Sequence, residues 1–309
     1  MTSALPPPEL LIGGVYAITS SDGERPGVLG EGSFGAVYKG MDVSLRAAVA
    51  IKLEAITAKY PQLAYEHKVL EELKGTPGIP RVLFYGPYEK THNALVMERL
   101  GASVGSTAPL DTLAVANVAR GVLDILRMVH TAGIVHRDIK PENILWPKGG
   151  AGPVNLRTAQ VHLIDFGLCK RVIAEDGRHI PQRTDKALVG TPEFASLGAH
   201  TGCELSRRDD IESLVYVLVY LSSKTLPWDR VVSDEGDDRY GKMRDVKRYT
   251  LQDVDYRLLR QLPSALKSAL RATLIYARTT LQFQDMPNYD LLGTFWSMPS
   301  LLPSAGGAS

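Results

Sequence analysis

The stretch His136-Arg137-Asp138-Ile139-Lys140-Pro141-Glu142-Asn143 holds the side chains best suited to chemistry. Asp138 is a carboxylate able to accept the proton of an incoming hydroxyl. Lys140, two residues on, supplies a cation to a charged group in transfer, and Asn143, five residues on, supplies an oxygen to a metal. A second carboxylate, Asp165, ends the apolar run Val161-His162-Leu163-Ile164, stands 27 residues after Asp138 and is followed by Phe166-Gly167. It suits Mg2+, which takes few protein carboxylates and fills its shell with phosphate oxygens and water. Alone, Asp-Phe-Gly reads as a turn and the first string as a solvated charged loop. In this order the residue types fit phosphoryl transfer, which needs mostly positioning and charge neutralisation.

Upstream, Gly30-Glu31-Gly32-Ser33-Phe34-Gly35-Ala36-Val37 is a glycine cluster that by itself marks a turn. A dinucleotide fold would need a helix directly after it. A β-rich segment follows instead, so the spacing predicts a hairpin whose amides lie over phosphates with no Cβ in the way. Val49-Ala50-Ile51-Lys52 comes next, with Lys52 22 residues after Gly30. A lysine in an apolar strand is costly to bury unpaired; after the glycine hairpin it reads as a phosphate ligand, and alone it would read as an edge lysine. Its expected partner is Glu66 on the following helix, with Glu71 and Glu72 as solvated alternatives.

These residues need a scaffold. Short β-branched pieces, GVYAIT, AVYKGM and AAVAIKLE, fall within 14–54, with two further strands near RVLFYG and NALVME. Residues 61–75 read as a helix that Gly75 can terminate. After Gly101 the period changes: Val115, Val118, Val122, Ile125, Leu126 and Val129 predict a helix over 111–132. More helices are expected at 209–222, 263–277 and 288–297. The expectation is a bilobal α+β fold: residues 1–13 a flexible N-terminus, 14–98 a small strand-rich lobe, 101–298 a larger helical lobe, and 299–309 a short disordered tail. Ligands favour the clefts between such units.

The chain has 309 residues and a net charge of +1. No global field argues for nucleic acid or membrane. The longest apolar run, Leu214 to Leu221, is 8 residues, far below a membrane span. The N-terminus lacks a signal-peptide pattern. Cys169 and Cys203 form neither a metal spacing nor a disulfide framework. The expected setting is the cytoplasm and/or nucleus. His67, His92, His130, His162, His179 and His200 are read as structural or solvated, and Tyr216 and Tyr220 as core.

Together the motifs match the signature set of protein kinases. From about residue 15 to 298 the chain resembles the casein kinase 1 family of Ser/Thr protein kinases. Phe194-Ala195-Ser196 follows Gly190-Thr191; His200, Gly202 and Glu204 stand in register, and Ser206-Arg207-Arg208-Asp209-Asp210-Ile211-Glu212-Ser213-Leu214 is the most telling match. Leu226-Pro227-Trp228, 286–292, Tyr65-Glu66 and 78–80 agree. The family lacks the usual Ala-Pro-Glu, so Ser196-Leu197-Gly198 is not damage. The resemblance implies transfer of the γ-phosphoryl of ATP to Ser/Thr of proteins in acidic contexts, by a monomer. It implies Asp138, Lys140 and Lys52 as catalytic, and Asn143 and Asp165 as Mg2+ ligands. Gly30, Glu31, Gly32, Ser33, Phe34, Gly35, Val37, Ala50, Lys52, Glu66, Met97, Glu98 and Leu100 are implied to surround the nucleotide. A catalytically weak pseudokinase or scaffold is the alternative; a small-molecule kinase fits Ser206–Asp210 and Lys140 less well.

The chain also departs from the family. Residues 20–26 look inserted, and 101–109 is short where a helix normally sits. The family's long C-terminal tails, and with them tail autoinhibition, are not expected. Arg183, Lys186 and Arg239 match the basic cluster that holds a priming phosphate, but Glu193 replaces an arginine and the loop 233–238 is acidic.

Overall fold

The computed structural model describes residues 11–20, 26–32, 35–149, 154–231 and 238–297. Ser33, Phe34, most of the 20–26 insertion, 233–237 and the 299–309 tail lie outside them. The chain divides into two compact units, residues 1–101 with 165–167, and 102–164 with 168–309.

The first unit is an antiparallel sheet of β1 (Tyr16–Ile18), β2 (Val28–Gly32), β3 (Gly35–Asp42), β4 (Ala47–Ala55), β5 (Val82–Tyr88) and β6 (His92–Glu98). Its order is β1-β3-β4-β6-β5, with β2 also on β3. Period-two alternation sorts β4: Val49 and Ile51 join Ile12, Ala94 and Val96 in a buried cluster, while Ala50, Lys52 and Glu54 take the other face. Ile12 is 1% exposed and pairs with Tyr16, so the N-terminal segment is fixed from there rather than loose to residue 13. The helix α1 (Leu63–Glu72) starts without a cap from Gln62. The buried Glu54 carboxylate of β4 does that work, accepting Gln62 N at 2.7 Å and Leu63 N at 3.1 Å. It satisfies two of the amides that every helix start leaves open and fixes α1 to the strand that carries Lys52.

The second unit is helical. It contains α2 (Thr112–Thr131), α3 (Leu197–His200), α4 (Arg207–Ser223), α5 (Arg239–Thr250), α6 (Val254–Arg257), α7 (Ser264–Ile275) and α8 (Tyr289–Phe295). Two small hairpins pair β7 (Ile134–Val135) with β10 (Lys170–Arg171) and β8 (Ile144–Leu145) with β9 (His162–Leu163). A 3-10 turn, Val104–Thr107, stands in the short 101–109 stretch. Tyr216, Trp228 and Trp296 are buried to 0% exposure. Tyr220, expected in the core, is only half-buried and meets Phe194 edge-on. The helices α3, α5 and α6 were not expected. Among the described residues no helix is long and apolar enough to cross a membrane.

Candidate active site

In the first unit, register gathers the expected nucleotide residues. Gly30 pairs Val37, Gly32 pairs Gly35, Val37 pairs Lys52, and Ala50 pairs Met97. Opposed residues share a face, so these side chains and glycines line one surface of the sheet. Gly35 has φ +128°, and a Cβ there would strike the carbonyl of Leu53. Glu31 and Glu98 fall on the opposite parity. Glu98 turns its carboxylate to Arg81 N at 2.8 Å, so only its backbone is left for the expected role. Leu100 is buried just beyond β6.

Lys52 Nζ sits 2.6 Å from Glu66 Oε2 and 2.8 Å from Asp165 Oδ1. Glu71 instead meets Lys74. Burial opposes the charge on Lys52, but the Glu66 and Asp165 carboxylates outweigh it and hold the ammonium well above its ordinary pKa. Asp165 adopts φ +64°, a left-handed conformation that Asp tolerates better than most residues. Two residues on, Gly167 sits in a tight spot: a Cβ there would lie 3.0 Å from Gln62 Oε1 and 3.3 Å from Asp165 Oδ1.

In the second unit the loop 136–143 hangs from a buried carboxylate. Asp210, on α4, accepts His136 N and Arg137 N, each at 2.8 Å, and bonds His130 Nε2 at 2.9 Å. Burial pushes its pKa up, but the His130 hydrogen bond and charge prevail and hold it below the ordinary range. Tyr289 OH closes the far side of His130 at 2.5 Å. This support lets Arg137 hold φ +70°, where its guanidinium donates to Leu168 O at 2.7 Å.

Asp138 is 6% exposed. Its Oδ1 accepts Thr191 N and Thr191 Oγ1, both at 2.8 Å. Its Oδ2 lies 2.8 Å from Lys140 Nζ and 3.1 Å from Asn143 Nδ2. Lys140 also donates to Thr191 Oγ1 at 3.1 Å. Asn143 spends its amide nitrogen on Asp138, which leaves its amide oxygen as the atom for a cation. Lys140, Thr191 and Asp138 therefore form a cation–hydroxyl–carboxylate chain. Thr191 was not singled out from the sequence; the Gly190-Thr191 pair, read only as a segment marker, was its signal.

The segment after Thr191 ends without Ala-Pro-Glu, and α4 holds it. Ser196 Oγ donates to Asp209 Oδ1 at 2.7 Å, and Leu197 N donates to Glu212 Oε1 at 2.8 Å. Glu212 in turn takes Arg278 Nη1 at 3.0 Å and Tyr216 OH at 2.6 Å. Gly198 packs against Asp209, and a Cβ there would lie 2.8 Å from its Oδ1.

Each basic residue matched to the phosphate-holding cluster already meets a carboxylate. Arg183 pairs Asp185 at 2.6 Å, Lys186 reaches Glu204 at 3.6 Å, and Arg239 meets Glu193 at 3.3 Å. Glu204 is nearly buried and also takes Lys170 at 2.8 Å. Burial would raise its pKa, but Lys170, Lys186 and Arg137 outweigh that and hold it below the ordinary carboxylate range. Among the described residues no cluster of three metal-ligating His, Cys, Asp or Glu occurs. Asp165 in the first unit and the amide oxygen of Asn143 in the second are each hard oxygen donors.

The protein kinase domain model matches residues 24–280. The chain belongs to the protein kinase family. Its first unit supplies the curled antiparallel sheet of the kinase N-lobe and its second the helical C-lobe. The kinase is thus a phosphotransferase of ATP-using type acting on proteins. Protein kinases generally pair ATP with Mg2+.

Proposed function

We propose that this kinase phosphorylates Ser and Thr hydroxyls of proteins and is of casein kinase 1 type. The observation that carries the catalytic part is the constellation at Asp138, where Lys140, Asn143 and Thr191 converge on one buried carboxylate. The branch rests on Ser206–Leu214 and on the unusual end of the activation segment. MgATP supplies the transferable γ-phosphoryl group. Lys52, held by Glu66, orients the phosphates, and the Gly30–Gly35 hairpin covers them. Val37, Ala50, Met97 and Leu100 supply apolar surface for adenine, and the backbone of Glu98–Leu100 its hydrogen bonds. Asp165, from the first unit, and Asn143, from the second, would each serve as a Mg2+ ligand. Asp138 orients the acceptor hydroxyl and takes its proton, while Lys140 neutralises charge on the phosphoryl group in flight.

The acidic substrates expected of this branch are approached without a strong priming requirement. A phosphate on a substrate would have to draw Arg239 away from Glu193. An Arg-to-Glu difference at 193 changes the local charge by two units, roughly 1–2 kcal/mol against a dianion at ~6 Å in screened water. That is about 5- to 30-fold in kcat/KM. One Ser peptide assayed with and without an upstream phosphoserine should show little difference, and Glu193→Arg should raise the preference.

The test of the main reading is ATP-dependent labelling of an acidic Ser-containing protein by wild type and by Lys52→Met. Labelling lost in the variant supports it. ATP binding with no labelling by wild type would favour a non-catalytic scaffold.

A further inference from the structure

The inward face of α5 carries a lysine with no exposure at all. Lys247 is 0% exposed, and a buried ammonium is retained only where something holds it. Among the described residues it has no ion pair within bonding distance. Its Nζ donates instead to two backbone carbonyls, Pro192 O at 2.8 Å and Ala195 O at 2.6 Å. It also lies 5.0 Å from the ring centre of Tyr216 and 4.7 Å from that of Trp228, in range for cation–π attraction.

Two more side chains hold the same stretch. Trp228 Nε1 donates to Glu193 O at 2.7 Å, and His200 Nε2 meets Pro192 O at 2.9 Å. The residue just before, Thr191, places its amide and hydroxyl on Asp138. Residues 191–195 are thus strung between the catalytic carboxylate and a lysine buried under them. An apolar side chain of the same length would fill the space at less desolvation cost. What a lysine adds is a donor to two carbonyls, two and five residues beyond Gly190 in sequence.

We propose that Lys247 is a positioning residue for the protein substrate: its charged grip on the Pro192 and Ala195 carbonyls sets the strip that follows Thr191, and so how well a peptide is presented to Asp138. The inference rests on the Ser/Thr protein kinase reading and deepens it. The grip is adjustable. Burial lowers the pKa of Lys247 to about 7, against the opposing pull of Glu212, Glu193 and Asp229. Those groups face it from α4, from the strip itself and from the loop after α4, and His200 faces it from α3. His200 is itself held down to about 4, first by burial and then by the Lys247 charge, so it stays neutral through the neutral range. When Lys247 loses its proton the amine still has two N–H bonds to give, but charge-assisted bonds are about twice as strong as neutral ones. Peptide presentation therefore weakens as pH rises through neutrality, while nucleotide contacts do not involve this residue.

The experiment measures KM for a Ser peptide and for ATP separately, in wild type, Lys247→Met and Lys247→Arg, at pH 6.5 and 8.5. Wild type should show a peptide KM that rises about three- to tenfold between the two pH values. Lys247→Met should show a peptide KM about tenfold above wild type at pH 6.5 and nearly flat with pH. Its ATP KM should stay within about twofold. Lys247→Arg, charged at both pH values, should lose the pH slope while keeping the low peptide KM. A wild-type peptide KM in the Met variant, equal pH slopes in wild type and Met variant, or parallel rises in both KM values would overturn the proposal. If the Met variant does not fold, the slopes of wild type and Lys247→Arg decide. If wild type labels no peptide or protein, the kinase reading fails on its own, and amide exchange over 190–196 then reads the clamp. Faster exchange in the Met variant than in wild type at pH 6.5, with the Arg variant close to wild type, supports it; exchange in a folded Met variant identical to wild type, or as fast in the Arg variant as in the Met variant, refutes it.

Discussion

At the scale of single residues, the two aspartates separate by what each touches. Asp138 is bonded to Thr191, Lys140 and Asn143, and Asp165 to Lys52. Asp138→Asn should keep ATP binding and lose turnover, because acceptor orientation and proton acceptance depend on it while the Lys52 pairs with Glu66 and Asp165 do not. Asp165→Asn should lose turnover through the metal. Steady-state rates with a protein substrate check both; a variant retaining more than about a tenth of wild-type rate, under ~1.4 kcal/mol of barrier, would refute the assigned role. Gly198 invites a second pair of substitutions, since a Glu there would rebuild the end of the usual Ala-Pro-Glu. It has no room: Asp209 lies against it, and Glu212 already holds Arg278. Overpacking of this kind typically costs about 1–3 kcal/mol. Gly198→Ala should lower the melting temperature, Gly198→Glu should lower it further by adding a third carboxylate, and neither should raise kcat/KM. A Glu variant as stable as wild type would show that Arg278 can change partners.

At the scale of elements, the site depends on links between neighbours in space. Glu54 joins β4 to the start of α1, and Glu66 stands one turn further along that helix. Glu54→Ala leaves two amides open at a buried helix end, a loss of about 1–3 kcal/mol. It should also raise KM for ATP severalfold with little change in peptide KM. An unchanged ATP KM in a variant with lowered thermal stability would mean that the Lys52–Glu66 pair needs no such anchor. The same contrast explains what the sequence makes legible. α2 is announced by apolar residues at threes and fours, and β4 by its alternation, so their existence and the Gly30–Val37 hairpin could be read directly. α5 could not. Its inward residues include Lys247 and Thr250 beside Met243, and a periodicity built from polar side chains looks like solvated surface. Thr191 was hidden for a related reason: its role lies in a bond to Asp138, 53 residues away, which no local pattern encodes. Ile12 was assigned to a loose segment because the prolines before it dominate the composition there.

At the scale of the whole molecule, a net charge of +1 leaves pH sensitivity to a few buried groups rather than to general repulsion. Lys247 is a buried group whose folded pKa, about 7, lies near neutrality, and in the proposed role it acts on stability and on activity in opposite directions. Its folded pKa of about 7 lies below the ~10.4 of an unfolded lysine. Between these values the unfolded chain binds a proton that the folded chain does not, so stability rises with pH. Below the folded value both states are protonated, and the full cost of a buried charge is felt. From pH 6.5 to 8.5 this one group should add about 2 kcal/mol of stability, a rise of a few degrees in melting temperature for a domain of this size. Asp209 works the other way but earlier. Burial raises its folded value to about 6, so the stability it contributes as a neutral acid is largely lost by pH 6.5. Over the chosen interval the gain from Lys247 should dominate. Thermal melts of wild type at pH 6.5, 7.5 and 8.5 should therefore climb while the peptide KM worsens. Lys247→Met should remove most of the climb and melt above wild type at pH 6.5, where the buried charge costs most. Melts with the same pH slope in both proteins would place the Lys247 proton outside this range and remove the physical basis for a pH-dependent grip on the Pro192 and Ala195 carbonyls.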